Sequence, residues 1–430
     1  MLKIGHTVKV PKTLRGPAPS DEEEVIQVPE ELERVPGIPM QQDTVTFYSR
    51  HYPVESHNVE NFVYRKWSRQ VSDIKETRDE HERLNKPIVR AAAESGNIEP
   101  TVEPTPGKDV TDEIKAKALE LGFAMVGITA YDSRYTYKSK RNWVKPFPHA
   151  ICLAMEQPYE ETQTIPSEPA ESAVFATYRR EGKVGLELAD YIRSLGYHAQ
   201  VHSPNDASSV VHPMFVQAGM GQMGAMGYLL SPHFGSRHRL MMITTDALVD
   251  YDEPVDYGIH AFCTICQVCV NRCPGRALMR EQVWWRGVEK FKIIAKRCRP
   301  VMARYAACGI CMKVCPIQRY GLQPVMDHYA STGQVLGKGT HNLEGYDMHD
   351  IGYFGPGELP RFDSDFFHIP EGYADQHALE ELKARIMAGD VPDGPEGDKV
   401  FAEFRARLQE VVKGPVDAMQ AEYQDDQDEF

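Results

Sequence analysis

Eight of the nine cysteines of this chain lie between Cys263 and Cys315. The first four, from Cys263 to Cys273, follow the spacing C-x2-C-x2-C-x3-C, and Pro274 comes directly after them. In bacterial proteins with such a run, three thiolates bind one four-iron, four-sulfur cluster and the fourth thiolate binds a second cluster. The spacing therefore predicts iron-sulfur chemistry, which is the transfer of single electrons.

The other four cysteines form a second group, spaced C-x9-C-x2-C-x3-C and followed by Pro316. Crosswise ligation predicts one 4Fe-4S cluster on Cys263, Cys266, Cys269 and Cys315, and a second on Cys273, Cys298, Cys308 and Cys311. Zinc is the weaker interpretation, because an ion with four ligands explains neither the close triplet of cysteines nor the two Cys-Pro endings. The ninth cysteine, Cys152 in HAICLAM, is interpreted as a small buried hydrophobic residue.

Composition narrows the possible functions. The chain has 430 residues, 42% hydrophobic and 26% charged, as is typical of a folded protein with two or three domains. With 62 acidic and 48 basic residues its formal charge is -14, so no nucleic-acid partner is expected. No run reaches the ~20 apolar residues of a membrane span, and none is expected. The first residues resemble neither a secretory signal nor a twin-arginine leader, so a cytoplasmic location is expected.

Helix and strand patterns precede the cysteines. Thr111 is expected to cap a helix, and strands are expected at FAMVGIT, HAICLAM, residues 198–202 and RLMMITTDALV. A long amphipathic helix is expected over residues 172–195 and a short one over residues 213–218. This mixture predicts an α+β fold.

Breaks in the pattern suggest five regions. They are an irregular N-terminal arm and linker (1–108), a cofactor-binding domain (109–258), a two-cluster domain (259–325), a C-terminal wrapping segment with helices near residues 378–387 and 398–412 (326–414), and an acidic, disordered tail (415–430).

The glycine-rich segment AGMGQMGAMG contains Gly219, Gly221 and Gly224 in a G-x-G-x-x-G spacing. A dinucleotide site is a weak interpretation, because that fingerprint follows a strand and opens a helix, whereas these glycines follow an expected helix. The glycines are better explained by a close approach of the backbone to something bulky, with a tight turn as the alternative.

Over roughly residues 110–365 the chain resembles the corrinoid-dependent reductive dehalogenases, in HPMFVQAGMGQMGAMGYLLSPHFGSRHRLMMITTDALV followed by FCTICQVCVNRCP and CGICMKVCP. The resemblance implies a nitroreductase-like α/β domain that holds base-off cobalamin without a protein histidine ligand, followed by a ferredoxin-like domain with two 4Fe-4S clusters. It implies removal of halide from an organohalide by Co(I) cobalamin chemistry, with electrons relayed by the clusters. Cobalamin contacts are expected at Gly219, Gly221, Gly224 and Ser231.

The family uses a tyrosine, assisted by a nearby cation, to protonate the carbon that loses halide. The resemblance places that tyrosine at Tyr178 and the cation at Arg237, and neighbouring Arg239 is the alternative. The cation is expected to lower the pKa of the tyrosine and to hold an anionic oxygen of the substrate. Without the resemblance, Tyr178 is a core residue of an amphipathic helix and Arg237 belongs to a surface ion pair.

Two alternative functions stay open. Epoxyqueuosine reductase shares the cofactors, but its aspartate is missing here, since Ser209 or Val210 stands at the expected place. A protein with two clusters and a vestigial cofactor domain would only transfer electrons. A separate motif, Asp347-x-His349-x-x-Gly352, matches a signature by which some proteins offer a histidine ligand to cobalt. This chain lacks the module that surrounds the signature in those proteins, so the motif is interpreted as a loop.

The expected partners follow from the resemblance. They are a small organohalide as substrate and a separate electron donor, which is a ferredoxin, a flavodoxin or a reductase. The absence of a leader favours a cytosolic catabolic role over a respiratory one.

Overall fold

The computed structural model describes residues 1–10, 23–33, 67–136, 140, 142–203, 208–285, 288–368, 381–382, 384–386, 388–392, 394–404 and 406. The chain has a mixed helix and sheet architecture, as the sequence predicts. Among the described residues, no helix has both the length and the apolar character needed to cross a membrane.

The N-terminal segments contain regular elements, so the prediction of an irregular arm over residues 1–108 is wrong for their described part. Strands β1 (Ile4–Val10) and β2 (Glu24–Pro29) form an antiparallel hairpin, and helix α1 covers Lys75–Glu94. The side chains of β1 alternate between partly buried and exposed, which is the period of a strand with one covered face. The buried face of α1 is small and lies among charged residues.

A four-stranded antiparallel sheet follows, in the order β3-β4-β8-β5. Its strands are β3 (Met125–Ala130), β4 (His149–Glu156), β5 (Ala199–His202) and β8 (His238–Thr245). All four were expected near these positions. Short strands β6 (Gln222–Met223) and β7 (Leu229–Leu230) pair between β5 and β8 in the chain.

Helices cover both faces of the sheet. On one face lie α2 (Thr111–Glu120) and α4 (Glu168–Ser194), whose apolar side chains share a core with alternate residues of β4 and β8. On the other face, α5 (His212–Gln217) and the glycine-rich segment pack against the remaining residues of the same strands, including Cys152. Cys152 is fully buried there, far in the chain from the other cysteines. The short helix α3 spans Tyr159–Gln163.

The long helix α4 is capped at its N-terminus and packs closely against α1 and β8. It begins four residues earlier than predicted, because Ser167 Oγ accepts a hydrogen bond from the Ala170 N–H (3.3 Å). Gly182 lets it approach α1, since a Cβ there would meet Ile88 Cγ2 at 2.6 Å, and Gly185 lets it approach Met241 of β8.

The cap predicted for α2 differs in detail. The helix begins at Thr111, but the Thr111 hydroxyl accepts a hydrogen bond from the Asp250 N–H (2.7 Å) and so ties the helix to the loop after β8. Asp109 Oδ1 instead accepts from the Thr111 N–H (2.8 Å).

The cysteine segment is built from short helices. These are α6 (Ile259–Cys266), α7 (Val268–Arg272), α8 (Ala295–Arg304), α9 (Ile310–Lys313), α10 (Pro316–Tyr320) and α11 (Leu322–Thr332), with the paired strands β9 (Val283–Trp285) and β10 (Val288–Lys290) after α7. The N-terminal hairpin shares the core of this segment, since Ile26 and Val28 are fully buried in it. At Gly258, before α6, a Cβ would meet Val28 Cγ1 at 2.8 Å, and the backbone is left-handed (φ 71°).

Among the described residues after α11, few belong to helices or strands. It contains α12 (His341–Glu344) and the paired strands β11 (Tyr346–Met348) and β12 (Gly352–Phe354). Residues 395–404 are helical, which overlaps the helix predicted over residues 398–412. The helix predicted over residues 378–387 and the acidic tail (415–430) lie wholly or partly outside the described residues.

Candidate functional site

The structure gathers the eight clustered cysteines into two groups of four. Cys263, Cys266, Cys269 and Cys315 line a single cavity, which is closed by Met226, Leu230 and Phe262. All four thiols are buried. They come from α6, α7 and the turn before α10, so that residues far apart in sequence meet on one cavity.

The second group is defined by mutual electrostatic influence. Its members are Cys273, Cys298, Cys308 and Cys311: Cys273 raises the pKa of the other three thiols, and Cys298 raises the pKa of Cys308 and Cys311. In the first group, Cys315 raises the pKa of Cys263, Cys266 and Cys269, and Cys311 of the second group also raises the pKa of Cys269. The structure thus places the cysteines of each set near one another, and their ligation of clusters stays a prediction.

Burial sets the protonation of these thiols. Burial, followed by the neighbouring thiols, raises the pKa of Cys269 well above its usual range, and burial raises the pKa of Cys266 to about 12. Among the described residues, no three His, Cys, Asp or Glu side chains converge on one point as ligands of a single ion would. Binding of a metal here would have to release protons from the thiols.

The glycine-rich segment packs against the chain itself. A Cβ on Gly221 would meet the Leu230 carbonyl oxygen at 2.2 Å, and one on Gly219 would meet the Glu253 carbonyl oxygen at 2.7 Å. Both glycines have positive φ values. Gly224 faces Leu230 and lies within reach of Cys263 Sγ (3.6 Å from the added Cβ). Close packing of the fold accounts for these three glycines, so their predicted contact with cobalamin stays a prediction.

Ser231 closes a turn. Its hydroxyl donates to the Gly235 carbonyl oxygen (3.2 Å) and accepts from the Phe234 N–H (3.3 Å). The side chain is buried, so the turn uses the hydrogen bonds that a cofactor would otherwise take.

Tyr178 lies on α4, on the side of the helix that faces β8. The guanidinium of Arg239 stacks over its ring at 4.8 Å from the ring centroid. Burial raises the pKa of Tyr178 above its ordinary value, and the opposing effect of Arg239 is smaller. A cation was expected to lower the pKa of Tyr178, but the net shift of this pKa is upward, so that expectation is wrong. The phenol keeps its proton at neutral pH.

Arg237, the cation first chosen from the sequence, is not beside Tyr178. Its side chain is fully buried, and Nη1 donates to Glu156 Oε1 (2.5 Å) and to the Gln157 carbonyl oxygen (2.6 Å). Its guanidinium lies over the ring of Tyr159 instead. The structure corrects the pairing to the alternative, Arg239, because Arg237 precedes β8 and turns away from the face that α4 covers.

Arg237 is expected to act on stability. Arg237→Met leaves Glu156 buried without its cation, and removal of one partner of a buried pair typically costs about 3–5 kcal/mol in the free energy of unfolding. Urea unfolding followed by circular dichroism measures this loss. The double variant Glu156→Gln/Arg237→Met is the control and should recover part of it. Full stability of Arg237→Met would contradict this stabilising role of the buried ion pair.

Sequence reasoning missed several groups around Tyr178. Two carboxyl groups on the same helix, Glu171 and Glu181, act electrostatically on Tyr178. Helix α1 adds His81, whose ring centroid lies 6.3 Å from that of Tyr178. One signal was available for Glu181, which interrupts the buried apolar stripe of α4. The position of α1 depends on tertiary packing, so no local signal predicts His81 there.

Tyr228 connects this region with the second cysteine group. Tyr228 is 41% exposed, but burial of its hydroxyl group, followed by the charges of Cys311 and Cys298, raises its pKa, while Arg239 opposes the shift. Tyr228 is thus within electrostatic range of both the second cysteine group and Arg239. This arrangement brings the predicted redox centre and the predicted acid into one part of the molecule.

His349 lies elsewhere. It follows β11, and its side chain is 76% exposed beside Asp350 (3.3 Å). This placement agrees with the interpretation of the Asp347-x-His349-x-x-Gly352 motif as a loop.

Comparisons with known proteins give relatives over 41–51% of the chain. The tetrachloroethene reductive dehalogenase of Dehalobacter restrictus is 29% identical over 219 residues, covering 41% of this chain and 39% of that protein. The enzyme of the same name from Desulfitobacterium hafniense is 30% identical over 220 residues, covering 41% and 40%. An epoxyqueuosine reductase of a Synechococcus species is 24% identical over 263 residues, covering 51% and 78%. No family model matches the chain.

Solved structures extend the likeness to the fold. A catabolic reductive dehalogenase in complex with 3-bromo-4-hydroxybenzoic acid superposes with a TM-score of 0.58 at 21% identity, covering 78% of this chain and 55% of that chain. A second reductive dehalogenase gives a TM-score of 0.53 at 22% identity, covering 68% and 48%. The resemblance predicted from the sequence is thus confirmed, although the chain spans only 39–40% of the first curated relatives.

Proposed function

We propose that this homologue of the reductive dehalogenases is itself a reductive dehalogenase that acts on a small organohalide. The observation that carries the proposal is the stacking of Arg239 on Tyr178. Tyr228 lies within electrostatic range of both Arg239 and the second cysteine group. A proton donor and a path for electrons are the two things that replacement of halide by hydrogen requires. Homology over 41% of the chain supports the same reaction class.

The residues present fit the iron-sulfur clusters. Four thiols line one cavity, and four more act on one another as a second set, so each group has the ligands of one 4Fe-4S cluster. Clusters bound to the two groups would be neighbours, because Cys269 and Cys311 lie at their junction. Neighbouring clusters suit the transfer of single electrons. We include in the proposal that these electrons come from a separate ferredoxin, flavodoxin or reductase in the cytoplasm.

The residues before Arg239 fit a corrinoid. Buried polar atoms of Ser236, Arg237 and His238 have no hydrogen-bond partner among the residues that the structure describes. Such atoms suit the amide-rich rim of a corrin ring, and a buried polar group without a partner is costly. When bound, reduced cobalamin would supply the Co(I) centre that breaks the carbon-halogen bond.

Two protein groups have defined tasks in the proposal. Tyr178 keeps its proton because burial raises its pKa, so the phenol O–H can donate that proton to the carbon from which halide leaves. Arg239 stacks on the ring, holds it in place and stabilises the tyrosinate that proton donation leaves behind.

The test is anaerobic reconstitution with iron, sulfide and cobalamin, followed by a halide-release screen of chlorinated and brominated arenes and alkenes with a strong chemical reductant. Halide release that requires cobalamin supports the proposal. Reconstituted protein that binds cobalamin but converts only an epoxyqueuosine-containing tRNA stem loop would favour the tRNA-modifying alternative. Protein that loads iron but takes up no cobalamin would indicate an electron-transfer protein.

We predict that His349 does not ligate cobalt. The His349→Ala variant should give the same Co(II) electron paramagnetic resonance spectrum as the parent, without the triplet splitting that a nitrogen ligand produces, because His349 is exposed beside Asp350. For the same reason, the lower face of cobalamin is expected to have no histidine ligand from the protein. A nitrogen triplet in the parent that disappears in His349→Ala would contradict this prediction.

A further inference from the structure

Glu181 is buried in an unusual way. It lies on α4, its exposed fraction is 0%, and neither carboxyl oxygen has a hydrogen-bond partner among the described residues. Buried carboxyl groups normally have partners, since an ionised carboxylate without hydrogen bonds in an apolar environment is costly. The feature therefore needs an explanation beyond packing.

The surroundings of Glu181 connect it to the proposed acid. It follows Tyr178 by three residues, and residues at this spacing lie on the same face of a helix. Gly182 and Gly185 hold that face tightly against Ile88 and Met241, so the helix cannot rotate Glu181 outward. The one cation that acts on Glu181 is Arg239, which also stacks on Tyr178. The three side chains form one group, in which Glu181 is buried and Tyr178 and Arg239 are partly buried.

The protonation of Glu181 follows from its burial. Burial raises the pKa of Glu181 well above its usual range, and Arg239 opposes this effect without cancelling it. Burial thus favours the neutral, protonated form of Glu181, and its carboxyl group has no hydrogen-bond partner among the described residues.

A second carboxyl group provides a route to solvent. Glu171 lies on the same helix, is partly exposed, and responds to Arg78 of α1 as well as to Arg239. Burial raises its pKa to about 7, so it can both accept and release a proton near neutral pH. Tyr178 thus lies between a carboxyl group near the surface and one in the interior.

We propose that Glu181 is the internal proton reserve that reprotonates Tyr178 during turnover, an inference that rests on the proposed dehalogenase function. The Tyr178 O–H bond breaks and its proton goes to the substrate carbon, leaving a phenolate. The Glu181 O–H bond then breaks, and its proton passes through a bridging water to the phenolate oxygen, leaving a carboxylate. Arg239 stabilises whichever anion is present, and the Glu181 carboxylate then takes up one proton from solvent, which restores the acid. No electrons move in these steps.

The first test needs neither cofactor nor substrate. Infrared spectra at neutral pH should show a carboxylic acid C=O band that is lost in Glu181→Gln and retained in Glu171→Asp. Glu181→Asp should keep the band at a shifted position, because it retains the acid. If the parent shows only ionised carboxylate at Glu181, the proposal is overturned.

The second test separates a reserve from a structural residue. In the reconstituted enzyme, Glu181→Gln should release halide at the parental rate in the first turnover, when Tyr178 is still protonated, and then slow by roughly 10²-fold in the steady state. A purely structural role would slow both phases equally and so overturn the proposal, as would a parental steady-state rate. Glu181→Asp should recover part of the steady-state rate, and it replaces Glu181→Gln if that variant does not fold. A parent that releases no halide would count against the proposed function, while the infrared result would still judge Glu181.

Discussion

Replacing Cys269 by alanine is expected to remove close to half of the iron and acid-labile sulfide from the reconstituted protein. The parent should hold about eight iron and eight sulfide per chain, as two four-iron clusters require. Cys269 lies in the first group, and its thiol also acts on Cys311 of the second. Loss of this ligand should therefore empty the cavity of the first group and weaken the electronic link to the second. Iron and sulfide analysis after anaerobic reconstitution measures the effect.

Cys152→Ala is the matched control for this experiment. Cys152 is equally buried, but it lies on β4 in the sheet, paired opposite Gly127 and Met242 and away from both groups. Its removal should leave the iron content unchanged and cost only the packing of a small side chain. Stoichiometric zinc without sulfide in the parent would contradict the cluster assignment as a whole.

Replacing Tyr178 by phenylalanine should lower turnover by ~10²- to 10⁴-fold while cobalamin and iron contents stay at the parental level, because general acids typically contribute this much. The variant keeps the ring, and with it the contacts to Arg239 and His81, but loses the proton. Halide release under saturating reductant measures the effect.

Arg239→Lys tests the partner of Tyr178. A lysine keeps the positive charge but loses the planar guanidinium that stacks on the ring, so turnover should also fall. In the double variant the two losses should not multiply, because both side chains serve the same proton transfer. A Tyr178→Phe enzyme that releases halide at the parental rate with cobalamin bound would leave the proton donor unassigned.

The sheet was predictable because its strands are apolar and end at clear breaks. HAICLAM is buried almost throughout in β4, as its composition indicates. The N-terminal hairpin was not predictable, because β1 and β2 are amphipathic, polar on one side, and separated in sequence by residues with no such pattern. Only the core around α6 and α11, which Ile26 and Val28 enter, gives these strands a buried face.

The candidate site likewise has one part that the sequence predicts and one part that it does not. The grouping of the cysteines follows from spacing, because ligands of a cluster are fixed by covalent chemistry. The choice between Arg237 and Arg239 does not, since both precede or begin β8 and only packing decides that Arg237 meets Glu156 while Arg239 meets Tyr178. The role of α1 in placing His81 beside Tyr178 likewise depends on contacts between distant segments.

The N-terminal hairpin has a consequence for biosynthesis. Its β2 strand packs on α11, where the Leu2 N–H donates to the Ala330 carbonyl oxygen (2.7 Å) and the Tyr329 hydroxyl donates to Glu31 (2.5 Å). These partners are far apart in sequence, so on the ribosome the hairpin emerges long before the helix that covers it. The core of the cysteine segment is therefore complete only after α11 has been translated. Under the proposed function, insertion of iron and sulfur would accordingly be a late event in biosynthesis.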